Sequence, residues 1–195
     1  MLFLKHLCII TMLFLLASCG GSAPETPHAL PYIVIKTDDF SFPGRKRMNV
    51  AFYVEKKDST FLERVHTAMK AAYDLQQKYD CDVAISWMAI GPSSSTILGE
   101  TLLSKAVFVP DGKGLSGKDP GKMWDVLGTE VTPTEDQEKL REAIDVMYKK
   151  ADTAGASHAC TDLPALDCYR VMAEKLGLPA ETRPASLTPV PYLVN

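Results

Sequence analysis

Between residues 47 and 55 the chain alternates. Met48, Val50, Phe52 and Val54 fall on one side, and Asn49, Ala51, Tyr53 and Glu55 on the other. A period of two predicts a half-buried strand. The β-branched run at residues 32–36 predicts another strand before it, joined through a turn at Pro43-Gly44. Thr60 and Glu63 then stand at capping-box spacing. Phe61, Leu62, Val65, Ala68, Met69, Ala72, Leu75 and Tyr79 follow as one apolar stripe, which predicts a helix. Residues 83–90 are apolar enough for a strand buried on both faces. After the loop Gly91-Pro92-Ser93-Ser94-Ser95, residues 101–109 predict a further strand, stopped by Pro110-Asp111-Gly112. The order is ββαββ. Strands joined through a helix should run parallel with a right-handed crossover, and the outer strands can add antiparallel. One helix would cover one face of this mixed sheet, and Ser86, Lys105 and Tyr53 predict partial exposure of the other.

The pattern changes after residue 110. Residues 111–122 read as a Gly/Lys loop, and residues 123–127 fit either one helical turn or a short strand. Thr132 with Glu135 predicts a second capping box, with Pro133 at the first helical position. Leu140, Ala143, Ile144, Met147 and Ala151 give that helix its stripe. Residues 164–176 predict another helix, with Gly177 just past its end. The tail from 178 carries four prolines and should be extended, packing through Tyr192, Leu193 and Val194. The expected fold class is therefore α+β: a small mixed sheet covered by a helix, with a C-terminal helical appendage. The corresponding segments are a signal peptide at 1–18, a flexible tether at 19–31, the α+β domain at 32–127, the appendage at 128–177 and a Pro-rich tail at 178–195.

The first segment carries an address. Residues 7–16 are apolar except Thr11, with Lys5 and His6 ahead of them. Ten helical residues span about 15 Å, half of a bilayer core of about 30 Å, so a secretory signal fits better than a membrane span. The following Leu16-Ala17-Ser18-Cys19 resembles the lipobox of bacterial lipoproteins. That resemblance implies cleavage before Cys19, a diacylglyceryl group on its sulfur and often acylation of the new amino group. Gly20 stands where Asp would retain an enteric lipoprotein in the inner membrane, so the expected location is the periplasmic face of the outer membrane. Residues 20–31, rich in Gly, Ser, Ala, Pro and Thr, read as a tether.

Export changes the reading of the cysteines. Of five, Cys8 leaves with the signal and Cys19 takes the lipid, which leaves Cys81, Cys160 and Cys168. In an oxidising compartment a pair should bridge, and Cys160 with Cys168 encloses a short Pro-containing loop. Cys81 then reads as a buried free thiol. The Cys-x₇-Cys spacing is not that of redox chemistry. His158 alone beside the pair does not complete a zinc set.

Charge narrows the partners. The net charge is −3, and removing the signal takes Lys5 with it and makes the balance more acidic. A nucleic-acid binder would show a basic excess, so no nucleic-acid partner is expected. Gly112-x₄-Gly117-Lys118 imitates a phosphate loop. However, Asp119 and Pro120 put a carboxylate and a missing amide where phosphate and magnesium groups belong. Lys113 and Leu115 likewise break a calcium loop between Asp111 and Asp119. No cofactor or metal is expected.

Ser93, Ser94 and Ser95 could supply a nucleophile with His66 as base, yet turn chemistry explains the cluster more simply. His66 itself sits one residue from the apolar stripe, where a boundary position is ordinary. Asp39, Arg45 and Arg47 form a charged corner at the first hairpin, open to a ligand or partner contact or to plain salt bridging.

One more resemblance rests on residues 32–42, Arg45-x-Arg47, the first helix, and the Lys105-Ala106 strand ending at Pro110-Asp111-Gly112, with Trp124 beyond. Together these are similar to a small bacterial family known only as a domain of unknown function. The likeness covers residues 32–124 and implies a fold but no mechanism. The expected role is that of a membrane-anchored periplasmic lipoprotein acting as a noncatalytic interaction or accessory module with an envelope protein partner. An envelope hydrolase and a small-ligand binder stand as the alternatives.

Overall fold

The computed structural model describes residues 23–92, 102–118, 121–154, 164–185 and 187–194. Along the chain come β1 (Ile33–Asp39), β2 (Arg47–Tyr53), α1 (Phe61–Tyr79), β3 (Val83–Ala89), β4 (Leu102–Phe108) and β5 (Trp124–Gly128). These are followed by α2 (Glu135–Ala154), α3 (Ala165–Lys175) and β6 (Val190–Tyr192). The strands lie in one sheet in sequence order. β2 and β3 pair parallel, joined by α1, and every other neighbouring pair is antiparallel. The mixed ββαββ core is thus as the periodicity predicts.

α1 begins on the expected capping box. The Thr60 hydroxyl accepts the Glu63 N–H at 3.3 Å, and the Glu63 carboxylate accepts the Thr60 N–H at 2.8 Å. The helix lies on β2, β3, β4 and β5. Its buried face includes Ala68, Ala71 and Ala72, which share the main core with Ala84 and Ala106, and these small side chains let the backbone approach the sheet. Two sheet hydroxyls use that proximity. Ser86 donates to the Ala68 carbonyl at 2.6 Å and Ser104 to the Arg64 carbonyl at 2.9 Å. Ser86 therefore marks the helix-covered face, not the exposed one. Its polarity misleads because its partner is a helix carbonyl that no local pattern reveals. Gly128 extends the close approach, since a Cβ there would stand 2.6 Å from Val65 Cγ1.

The opposite face carries Val83, Ile85, Val107 and Val109, packed with Phe40 and Trp87. Lys105 projects there as expected, its ammonium 5.2 Å from the centre of the Trp87 ring.

The C-terminal half settles one open choice and departs from expectation in two places. Of the helical turn and the short strand open for residues 123–127, the strand forms, as β5, because pairing with β4 satisfies its backbone. α2 starts two residues later than predicted. Thr134 and Gln137 exchange the capping bonds, at 3.3 and 3.0 Å, while Thr132 instead accepts a bond from the buried Arg64 at 3.3 Å. The tail is not merely extended: residues 190–192 complete the sheet as β6, with Tyr192 opposite Val126. α3 ends as Gly177 predicts, with a positive φ of 68° and the Leu178 N–H returning to the Ala173 carbonyl at 2.9 Å. α2 and α3 share a cluster of their own around Leu140, Ile144 and Ala173.

The expected tether is fixed over its second half. The Ala29 N–H closes a turn on the Thr26 carbonyl at 3.0 Å, and the Leu30 N–H bonds the Thr67 hydroxyl on α1 at 2.9 Å. Leu30 and Tyr32 pack against the main core. Composition missed this docking because the bonds are made by backbone, which every sequence carries.

Candidate functional site

The charged corner is resolved by long-range pairing. Arg45 is buried, and its guanidinium forks onto the Asp111 carboxylate at 2.6 and 3.0 Å, then reaches the Gly114 carbonyl at 2.8 Å. That hydrogen-bonded ion pair holds the Asp111 carboxyl at about 2, well below the usual carboxylate range. Gly112, Gly114 and Gly117 all take positive φ around it, and a Cβ on Gly117 would meet Arg45 Cδ at 3.1 Å. The run that imitates a phosphate loop is thus a collar for an arginine.

Arg47 points elsewhere. Its guanidinium carbon lies 4.3 Å from the centre of the Phe40 ring and 5.2 Å from that of Phe42. Asp39 accepts the Ser41 N–H at 2.9 Å in a local turn. The three side chains share a corner, and each has its own structural contact there.

His66 is buried, against the boundary position expected for it. Its Nδ1 accepts the His28 N–H at 3.4 Å, and its Nε2 lies 3.0 Å from the Tyr192 hydroxyl. Burial, reinforced by neighbouring His28, pushes the imidazole below its ordinary value. Both nitrogens are committed to joining the N-terminal segment, α1 and β6. Ser93, Ser94, Ser95, Cys19, Cys160 and His158 lie outside the described residues. Cys81 is buried and free, its thiol pushed up by burial, and Cys168 is buried. Among the described residues no group of three or more His, Cys, Asp or Glu side chains could hold a metal ion. No described helix is long and apolar enough to cross a membrane.

A cleft of about 350 Å³ opens at the carboxyl ends of β2 and β3. The two strands run parallel there and then part, β2 toward α1 and β3 toward β4, and such a divergence leaves a crevice. Tyr53, Glu55 and Lys57 line one wall, Ile90 and Gly91 another, and α2 closes it with Glu138, Arg141 and Glu142. Lys57 stands 3.9 Å from Glu138 across the opening, and Arg141 is buried and engaged. Charges of both signs from three separate segments meet here. No periodicity signals it, because residues 53–57, 90–92 and 138–142 are brought together only by the crossover and the placement of α2.

A second cleft, of about 490 Å³, lies between the N-terminal segment, α1 and the β5–β6 edge. Ala23, His66, Met69, Trp124, Tyr192 and Leu193 are among the residues that line it. Its side chains are mostly apolar where those of the first are charged, although polar surface makes up about as much of the lining as apolar, and Glu25 is the one carboxylate among the described residues that line it.

Comparison with known proteins now gives this fold its relatives. A family model described as Domain of unknown function (DUF4875) matches residues 27–182. No curated protein matches. The fold is similar to that of a solved DUF487 family protein from Desulfovibrio piger, at 23% identity and a TM-score of 0.65, over 85% of this chain and 96% of that one. The chain belongs to the DUF4875 family, and the match takes in both the docked N-terminal segment and α2 and α3, which lie outside the span of the resemblance read from residues 32–124.

Proposed function

We propose that the chain is exported, cleaved before Cys19 and held by acyl chains at the periplasmic face of the bacterial outer membrane, where its domain acts as a noncatalytic interaction module. The observation that carries the interaction role is the cleft at the carboxyl ends of β2 and β3. Lys57, Glu138 and Glu55 offer a partner complementary charges there, while His66 spends both nitrogens on the fold at a different cleft. Two acyl chains suffice for stable attachment, each buried CH₂ contributing about 0.8 kcal/mol. A bridge between Cys160 and Cys168 belongs to the same reading, since the periplasm is oxidising.

Capture from native envelope tests the module. The wild-type protein should retain a specific partner that Lys57→Glu loses, and a Lys57→Glu protein that retains it removes the cleft from the interaction. The hydrolase alternative has one observation in its favour: Ser93 to Ser95 follow directly on Gly91 and Pro92, which line the cleft. Labelling of any of these serines by a fluorophosphonate probe would replace the module with an enzyme. Intact mass of membrane-extracted protein should show acyl chains on Cys19, with Cys19→Ala released or left unprocessed. Thiol titration of the denatured, unreduced protein should count one free sulfhydryl, and three would remove the bridge.

A further inference from the structure

We infer that the apolar cleft between the N-terminal segment, α1 and the β5–β6 edge is the face with which the domain lies on the lipid surface. The inference rests on the acylation of Cys19 proposed above. The argument begins with reach. Only three residues separate Cys19 from Ala23, and Ala23 already lines the cleft. Four steps of fully extended chain cover at most about 14 Å. The chain beyond cannot lengthen that leash freely. The turn at Thr26, the His28 N–H on His66 and the Leu30 N–H on Thr67 fasten it to α1. An acylated Cys19 would therefore hold the side of the domain that carries this cleft nearest the headgroups.

The chemistry of the face suits that position. Leu193 is 76% exposed, and Met123 and Val194 are exposed beside it. Trp124 and Tyr192 stand in the same lining, the two residue types that favour the boundary between water and hydrocarbon. Insertion by apolar and aromatic side chains, rather than attraction between charges, is what such a surface supports. Orientation follows from the sheet register. Trp124 pairs with Phe108, and Phe108 with Ala84, at the amino end of β3. The charged cleft opens past the other end of that strand, about 20 Å away at about 3.3 Å per residue. One cleft then meets lipid while the other is presented to the aqueous side.

The chain's two tryptophans make the test internal. Trp124 belongs to the cleft face, and Trp87 to the opposite face of the sheet. The acylated full-length protein is reconstituted into vesicles of phosphatidylethanolamine and phosphatidylglycerol with brominated acyl chains. Trp87→Phe, which reports Trp124, should lose emission, and Trp124→Phe, which reports Trp87, should not. The double variant Leu193→Asp, Val194→Asp in the Trp87→Phe background should stay anchored yet recover the emission. Equal quenching of both tryptophans, or none of either, on protein whose mass confirms acylation overturns the face assignment alone. A mass without acyl chains overturns the anchor and the assignment together. A double variant that keeps the quenching shows that the tail side chains do not make the contact, and overturns their role in it.

Discussion

The two clefts differ in what made them. The charged one, at the carboxyl ends of β2 and β3, is a by-product of topology: parallel neighbours that part company leave a gap, and α2 supplies its far wall. The apolar one is assembled by the two ends of the chain, which meet at His66 through its bonds to His28 and Tyr192. A gap of the first kind survives changes to its lining, because strands far from the rim hold it open. A gap of the second kind depends on weak contacts of terminal segments and should fail before the sheet does. Under the functions proposed above, the hardier cleft would serve a partner and the softer one the membrane, since lipid tolerates a surface that shifts.

The comparison can be broken or sharpened in four ways, in falling order of effect. Asp111→Ala should cost most, on the order of 3 kcal/mol in chemical denaturation, because it strands the buried Arg45 guanidinium without its carboxylate. The acid limb changes with it. The Asp111 carboxyl is held at about 2, so its contribution is complete above the unfolded value near 3.9 and is lost as pH falls toward 2. The variant should lack that part of the acid transition. A loss shared evenly between the clefts would be the informative result, since the collar contacts neither lining.

Gly128→Ala comes next, at about 2 kcal/mol, because the added methyl drives into Val65 and Phe61. Phe61 packs edge-on to Tyr192, so the apolar cleft should loosen while partner capture at the charged cleft persists. Hydrogen exchange of the residue 190–194 amides would show it, and unchanged protection there would contradict the account.

Tyr192→Phe should cost about 1 kcal/mol by removing the hydroxyl from His66. The His66 imidazole sits below its ordinary value in the fold. Its contribution is therefore present above about 6.5 and is lost as pH falls below that. Urea midpoints of the wild type should drop as pH falls below about 6.5, and His66→Gln should flatten that stretch. Glu25 and Tyr192 in this cleft and His28 stacked on the ring are the titratable neighbours of His66, and an unchanged slope in His66→Gln would take the dependence away from His66.

Lys57→Glu should move stability least, within about 0.5 kcal/mol, because its pairing with Glu138 is long and Lys57 is exposed. A larger loss would make the charged cleft a structural joint rather than a surface for partners.

Local pattern alone determined the first five elements, since alternation, an apolar stripe and a capping box act between near neighbours. Gly177 similarly marked the end of α3. The same logic misplaced the start of α2, because Thr132 and Thr134 offer nearly equal local caps and the choice was made by Arg64, 68 residues away from Thr132. Residues 190–192 could become a strand only once β5 stood ready to pair with them. The site residues divide along the same line. Arg45 and Asp111 were both conspicuous as charges, but their partnership crosses 66 positions, and a glycine-rich loop that looked like chemistry turned out to enclose them. Composition and order fixed the kind of fold. Which hydroxyls faced the helix, where the ends of the chain met and which charges shared a cleft were decided only by folding, because those contacts join positions whose separation along the backbone carries no signal of their nearness in space.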